Sequence, residues 1–151
     1  MIDVIDRRIL KELQADASLS NVELAERVGS SAPSCWRRVK ALEAAGILGP
    51  AVRLLNPAKV NCSVNVVCNV RMRSHGTDNI ITFEHFILSR PEILDCYSIS
   101  GDWDYLLRIV ASDVAGYERF LMRILLPHPS VATASSHFAL SQTKYCTQLP
   151  V

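Results

Sequence analysis

The chain has 151 residues, 49% of them hydrophobic and 21% charged, with a formal net charge of +1. This profile excludes a disordered polypeptide, and no apolar run approaches the roughly 20 residues that a bilayer-crossing helix needs. The opening MIDVIDRRIL mixes acids and bases within ten residues, unlike a signal or transit peptide, so a cytoplasmic location is expected.

The charge is unevenly distributed. Residues 1–60 hold nine Lys/Arg and seven Asp/Glu, a balance of +2, whereas residues 61–151 hold seven and eight, a balance of −1. Within 27–42 there are four cations (Arg27, Arg37, Arg38 and Lys40) and no acid. Cysteines stand at 35, 62, 68, 96 and 146, an odd number with no C-x-x-C pair, and the histidines at 75, 85, 128 and 137 show no i, i+4 pairing. Neither a disulfide framework nor a metal site is expected, and no cofactor is implied.

The first 48 residues read as three helices. Asp3 or Asp6 caps the first, whose Ile9, Leu10 and Leu13 form an apolar stripe. Ser20 followed by Glu23 is a capping box opening a short second helix, NVELAERV, with Val22, Leu24, Ala25 and Val28 expected to face inward. Gly29 supplies the positive φ that ends it. Ser31 is the expected N-cap of the third helix, with Pro33 in its first turn and Gly46 as its stop. From 47 to 61, ILGPAVRLLNPAKVN reads as a strand and connector marking a domain boundary.

Strict alternation then takes over. In CSVNVVCNVRM, residues Cys62, Val64, Val66, Cys68, Val70 and Met72 share one face of a strand. NIITFEHFILSR is a helix with Ile80, Phe83, Phe86 and Ile87 in register. ILDCYSIS and DYLLRIVAS are strands joined at Gly101-Asp102, a hairpin turn signal. Asp113 caps a helix carrying Tyr117, Phe120, Leu121, Ile124 and Leu125, ended by Pro127 and Pro129. VATASSHFALSQTKY contains the last strand. The fold class is α+β. The second half has the order β-α-β-β-α-β, a ferredoxin-like arrangement, and the domains divide as 1–50, a connector strand or hinge at 51–61, and 62–151.

Two short helices, a glycine turn and a basic helix have the layout of a helix-turn-helix, whose second element enters the major groove of double-stranded DNA. With Cys35, Val39 and Leu42 as the buried stripe, the opposite face carries Pro33, Arg37, Lys40 and Ala44, flanked by Ser34 and Trp36. Ser31 and Ser34 are small enough to let the helix approach phosphates, Arg37 suits a guanine edge or a phosphate, and Lys40 suits a phosphate. Arg38 lies nearer the buried side, where a structural ion pair and a phosphate contact are both open. The plainer reading is a three-helix bundle with a solvated basic face.

Over nearly its whole length the sequence also resembles the Lrp/AsnC family, the leucine-responsive and asparagine-operon regulators. The matching motifs are D-x-x-D-x-x-I-L-x-x-L-Q (Asp3 to Gln14), S-N-V-E-L-A-E-R-V-G (Ser20 to Gly29) and S-x-x-x-C-x-x-R-V-x-x-L-E-x-x-G-I (Ser31 to Ile47). Also matching are L-N-P (Leu55 to Pro57) and S-G-D-W-D-Y-L-L (Ser100 to Leu107). The resemblance implies an N-terminal winged helix-turn-helix domain that binds DNA. It implies a C-terminal domain that dimerises, assembles dimers into an octamer or similar ring, and binds a small effector, usually an amino acid. It assigns effector contacts to Gly101, Asp102, Trp103, Asp104 and Tyr105, and to Ser135, Ser136, His137 and Phe138 on the last strand; Ser100, beside this loop, joins them on chemical grounds. The effector itself cannot be carried over.

The residues by themselves allow the same site. A carboxylate of Asp102 or Asp104 accepts from an α-ammonium, turn amides and the Ser100 hydroxyl suit a carboxylate, and Trp103, Tyr105 or Phe138 offers an apolar wall. Asp102 is equally at home as a turn residue, and His137 as a hydrogen-bonded surface histidine. A hydrolase using the two carboxylates as an acid/base pair lacks companion groups, and Cys35, on the buried stripe, is a poor nucleophile, so no enzyme is expected. The alternative to a DNA-binding regulator is a small-molecule-sensing assembly module whose helical half binds protein. Both faces of the sheet carry apolar residues, among them Val67, Tyr97, Ile99, Leu106 and Val110 on one side, so burial of one face by a second subunit is expected.

Overall fold

The computed structural model describes residues 2–151. It divides into two compact units, Met1–Arg53 with Thr143–Val151, and Leu54–Gln142. The tail 143–151 packs with the helical unit.

In the first unit α1 spans Val4–Ala15, α2 Asn21–Val28 and α3 Ala32–Ala44. Each begins at a side-chain cap, because the first amides of a helix have no partner within it. Asp3 accepts from Asp6 N–H at 2.8 Å while Asp6 accepts from Asp3 N–H at 3.2 Å, so both of the candidate acids take part in one capping box. Ser20 and Glu23 form the same reciprocal pair at α2, and Ser31 accepts from Ser34 N–H at α3. Gly29, at φ 71°, closes α2 in the left-handed conformation that side chains avoid. Ile9, Leu10, Leu24, Ala25, Val28, Cys35 and Leu42 fill the core between the three helices. Val22 does not join them. It is exposed, because Leu24, Ala25 and Val28 already occupy the inward face of this two-turn helix. The Gln14 side-chain amide receives the Leu149 N–H at 2.6 Å and donates to the Leu149 carbonyl at 3.2 Å, which fixes the tail to α1.

The strand expected within 47–61 is absent. Among the described residues, 46–56 form no strand, and Pro57–Val60 is a single 3-10 turn capped by Asn56. An extended segment becomes a strand only by pairing, and here Val52, Leu54 and Leu55 project into solvent.

The second unit contains β1 (Val64–Met72), α4 (Thr77–Leu88), β2 (Ile93–Ser98), β3 (Tyr105–Ala111), α5 (Val114–Phe120) and β4 (Val131–Phe138). α5 runs into one widened turn, Leu121–Leu125, before Pro127. The four strands form an antiparallel sheet in the order β2-β3-β1-β4, the ferredoxin-like topology. The helices cover the face bearing Val66, Cys68, Val70, Leu107 and Ile109, and Phe83, Ile87, Tyr117, Phe120 and Leu125 complete this core. The opposite face carries Val67, Asn69, Leu106 and Val110, with Tyr97 exposed and an Arg108–Asp95 ion pair between β3 and β2. The connection from β2 to β3 is a six-residue loop, Ile99 to Asp104, rather than a two-residue hairpin turn.

Leu107, fully buried at the centre of the sheet, provides a direct check of this core. Leu107→Ala is expected to lower unfolding free energy by about 2–5 kcal/mol, through lost transfer energy and the cavity left behind. Urea unfolding of the two proteins measures the difference.

Candidate functional site

The first candidate surface lies on α3. Cys35 is completely buried and Val39 half-buried, and one turn later Leu42 is buried, so Ser31, Pro33, Trp36, Arg37 and Lys40 are left exposed, with Ser34 partly so. The four cations of the acid-free window separate once their neighbours are known. Arg27 pairs with Glu12 at 3.2 Å, and Lys40 pairs with Glu43 at 2.7 Å. One terminal nitrogen of Arg38 sits 2.7 Å from both Asp3 and Asp6. The hydrogen bonds that Arg38 donates to Asp6 and then to Asp3 push its guanidinium further toward its charged form. Asp3 is held below the usual carboxylate range by the Asp6 backbone amide and by Arg38. Arg38 is therefore committed within the fold. Of the two roles that the sequence left open for it, the structure shows the ion pair, with acids at the start of α1, 32 and 35 residues away. Arg37 makes no ion pair among the described residues.

The second candidate surface is the loop between β2 and β3. Ser100, Gly101 and Asp102 are exposed, and Gly101 takes φ 107°, where a side chain would be strained. The loop is held from β1. Asp104 N–H donates to the Val70 carbonyl at 3.0 Å, and one Asp104 oxygen accepts from Met72 N–H at 2.6 Å while the other meets His75 Nε2 at 2.8 Å. Burial pushes the Asp104 carboxyl up, but the Met72 amide and His75 outweigh it and leave the group below its ordinary range. Arg71 donates from Nε at 3.0 Å and from a terminal nitrogen at 2.7 Å to the Asp102 carbonyl, and its guanidinium lies 5.0 Å from the centre of the Trp103 ring.

The ten residues assigned as effector contacts do not form one cluster. Tyr105 turns into the core, 5.0 Å from the Phe83 ring, and donates to Glu84 at 3.1 Å; burial, aided by Glu84, pushes its hydroxyl up to about 12. The Ser136 hydroxyl lies 2.5 Å from that of Tyr117 and also reaches the buried Cys68 thiol, and Phe138 packs edge-on against Tyr117 at 5.4 Å. Ser135 and His137, 3.3 Å apart, lie on the uncovered face of the sheet, in the alternation that carries Asn69 and Arg71. Neither of two grooves, about 260 Å³ beside α3 and about 330 Å³ beside α5, is lined by any of the ten. Sequence reading missed Arg71 and His75. In the sequence Arg71 shows only as a cation on the polar side of a strand.

Comparison with known proteins places both halves of the chain in one lineage. Residues 2–48 match a winged helix-turn-helix DNA-binding model, and residues 65–149 match the Lrp/AsnC ligand binding domain. The chain belongs to the Lrp/AsnC family of transcriptional regulators. It is 35% identical to the DNA-binding transcriptional activator DecR of Escherichia coli over 100% of this chain and 99% of that protein. It is also 35% identical to a leucine-responsive regulatory protein of Rhizobium meliloti, covering 99% and 96% of the two chains. Its fold is similar to the crystal structure of a Neisseria meningitidis transcriptional regulator in complex with L-Met, with a TM-score of 0.96, 37% identity, and coverage of 99% and 97%. This Lrp/AsnC protein is thus a DNA-binding transcriptional regulator with a ligand-binding unit, in the α+β architecture expected of it.

The Asp104 contacts predict an acid-sensitive term in stability. Its folded-state carboxyl titrates below the ordinary value of 3.8, so the stabilisation is present above that value and disappears as pH falls through the depressed one. Melting temperatures between about pH 6 and pH 3 are expected to fall less steeply for Asp104→Asn than for the wild type.

Proposed function

We propose that this regulator reads DNA through the outward face of α3 and that an amino acid bound at the loop 100–104 modulates that activity. The observation that carries the DNA half is the separation of the cations. Arg27, Arg38 and Lys40 have acidic partners within the chain, whereas Arg37 is exposed and without an ion pair among the described residues. It stands near the N-terminus of α3, the end from which a recognition helix contacts bases. Ser31, Pro33, Ser34 and Trp36 flank it, and Lys40 supplies a phosphate contact once it leaves Glu43, an exposed pair of small intrinsic worth.

For the effector, Ser100 to Asp104, with Ser135 and His137 on the uncovered sheet face, form the proposed contact set. Tyr105, Ser136 and Phe138 support it from the core side. An amino acid is favoured by the combination of free carboxylate, turn amides and aromatic ring, and by the L-Met bound to the similar Neisseria meningitidis protein. The uncovered sheet face, with Val67, Leu106, Val110 and Tyr97, is the surface proposed to be buried between subunits, first in a dimer and then in an octamer or comparable ring. No helix among the described residues is long and apolar enough to cross a membrane, and a regulator of this kind acts where the DNA is, in the cytoplasm. Gene control, without catalysis of its own, accounts for the surfaces described.

Two substitutions separate the halves of this proposal in band-shift titrations. Arg37→Ala is expected to weaken the specific complex by about tenfold or more, the worth of one good base contact. Asp102→Ala is expected to bind DNA like the wild type but to lose most of the response to amino acid. A protein whose DNA affinity is unaffected by Arg37→Ala does not use this helix face.

A further inference from the structure

We propose that Arg71 is the positioning residue of the effector loop, aiming the Trp103 backbone amide outward as the donor for a ligand carboxylate. The role rests on the reading of residues 100–104 as the effector contact. β1 lies between β3 and β4 and is paired to both, so its C-terminal end is the rigid part of this region. Three successive residues there grip the loop, but at different places. Val70 and Met72 hold Asp104 through the backbone of β1. Arg71 reaches the apex with its side chain and takes the Asp102 carbonyl with two N–H donors. Among the described residues no other side chain hydrogen-bonds to 100–103, and the flexible Gly101 lies within that stretch.

The consequence follows from peptide geometry. In a planar trans peptide the carbonyl and the following N–H point in opposite directions. With the Asp102 carbonyl turned to Arg71, the Trp103 N–H is turned away from it, and that amide has no hydrogen-bond partner among the described residues. The same guanidinium sits over the Trp103 ring at cation–π distance, so side chain and amide of Trp103 are fixed together. An unpaired donor with a fixed direction is suited to a carboxylate. Without Arg71 the Asp102–Trp103 peptide is free to rotate, and the ligand has to order it on binding.

The test uses the full-length protein with Arg71→Met, which keeps the stem and removes the donors, and Arg71→Lys, which keeps the charge but not the fork. Hydrogen exchange of peptides covering 99–104 reports the loop itself, calorimetric titration with L-methionine and the other nineteen common amino acids reports the ligand, and DNA affinity without ligand reports general damage. For Arg71→Met the expected result is about tenfold faster exchange of the bonded Ile99 and Asp104 amides and about tenfold weaker ligand binding, with DNA affinity unchanged and Arg71→Lys intermediate. Unchanged exchange overturns the clamp. Faster exchange with unaltered ligand affinity overturns the positioning role and leaves the clamp standing. Failure of the wild type to bind any of the twenty overturns the reading of the loop as an amino-acid site, and the role with it.

Discussion

One guanidinium nitrogen between two carboxylates sets the geometry of the helical unit. Arg38 on α3 meets Asp3 and Asp6 at 2.7 Å each, and those acids are also the capping box of α1. Starting a helix and docking the recognition helix therefore use the same side chains. Such a partly exposed pair contributes little to stability. Its effect is orientation: together with the buried Cys35 it fixes the rotation of α3 about its axis. Given that rotation, Arg37 must face outward, because adjacent residues on a helix are turned by about 100°. Arg37 and Arg38 are neighbours in sequence with opposite surroundings, one paired to acids and one exposed with no ion pair among the described residues.

The second unit applies a comparable division along β1. Its alternate residues Val66, Cys68 and Val70 enter the core beneath the helices, while Asn69 and Arg71 stand on the other face. The strand end that anchors the core also anchors the β2–β3 loop, so the loop inherits its position from the most constrained part of the sheet. This explains how an exposed, glycine-containing segment can present groups in a defined direction. Tyr105 and Ser136 face the core, against Glu84 and Tyr117, rather than the uncovered side of the sheet.

The features legible in the sequence were those set by local spacing. The Ser20–Glu23 box, the Gly29 stop, the Ser31 cap and the alternation of β1 each depend on residues within a few positions of one another, and the structure reproduces them. The sheet order followed from the element order because few topologies accommodate it. What remained hidden depends on distant partners. Arg38 and its acids are more than thirty residues apart, as are Arg71 and the Asp102 carbonyl, and nothing in either neighbourhood announces the other. The connector at 51–61 reads as a strand by composition, yet lacks a partner in the chain, and Val22 matches a helical stripe too short to bury it. The division of the ten loop and strand residues between two faces was decided by register, which their one-letter pattern leaves open.

The central claim is that Arg38 is held within the protein while Arg37 meets DNA, and salt dependence tests it most directly. Each phosphate neutralised contributes about −0.9 to the slope of log K against log salt concentration. The account predicts that Arg38→Met keeps the wild-type slope whatever it does to affinity, because the wild-type side chain neutralises no phosphate. A slope for Arg38→Met that is shallower by about one charge would contradict it, because the ion pair with Asp3 and Asp6 would then have been given up in the complex.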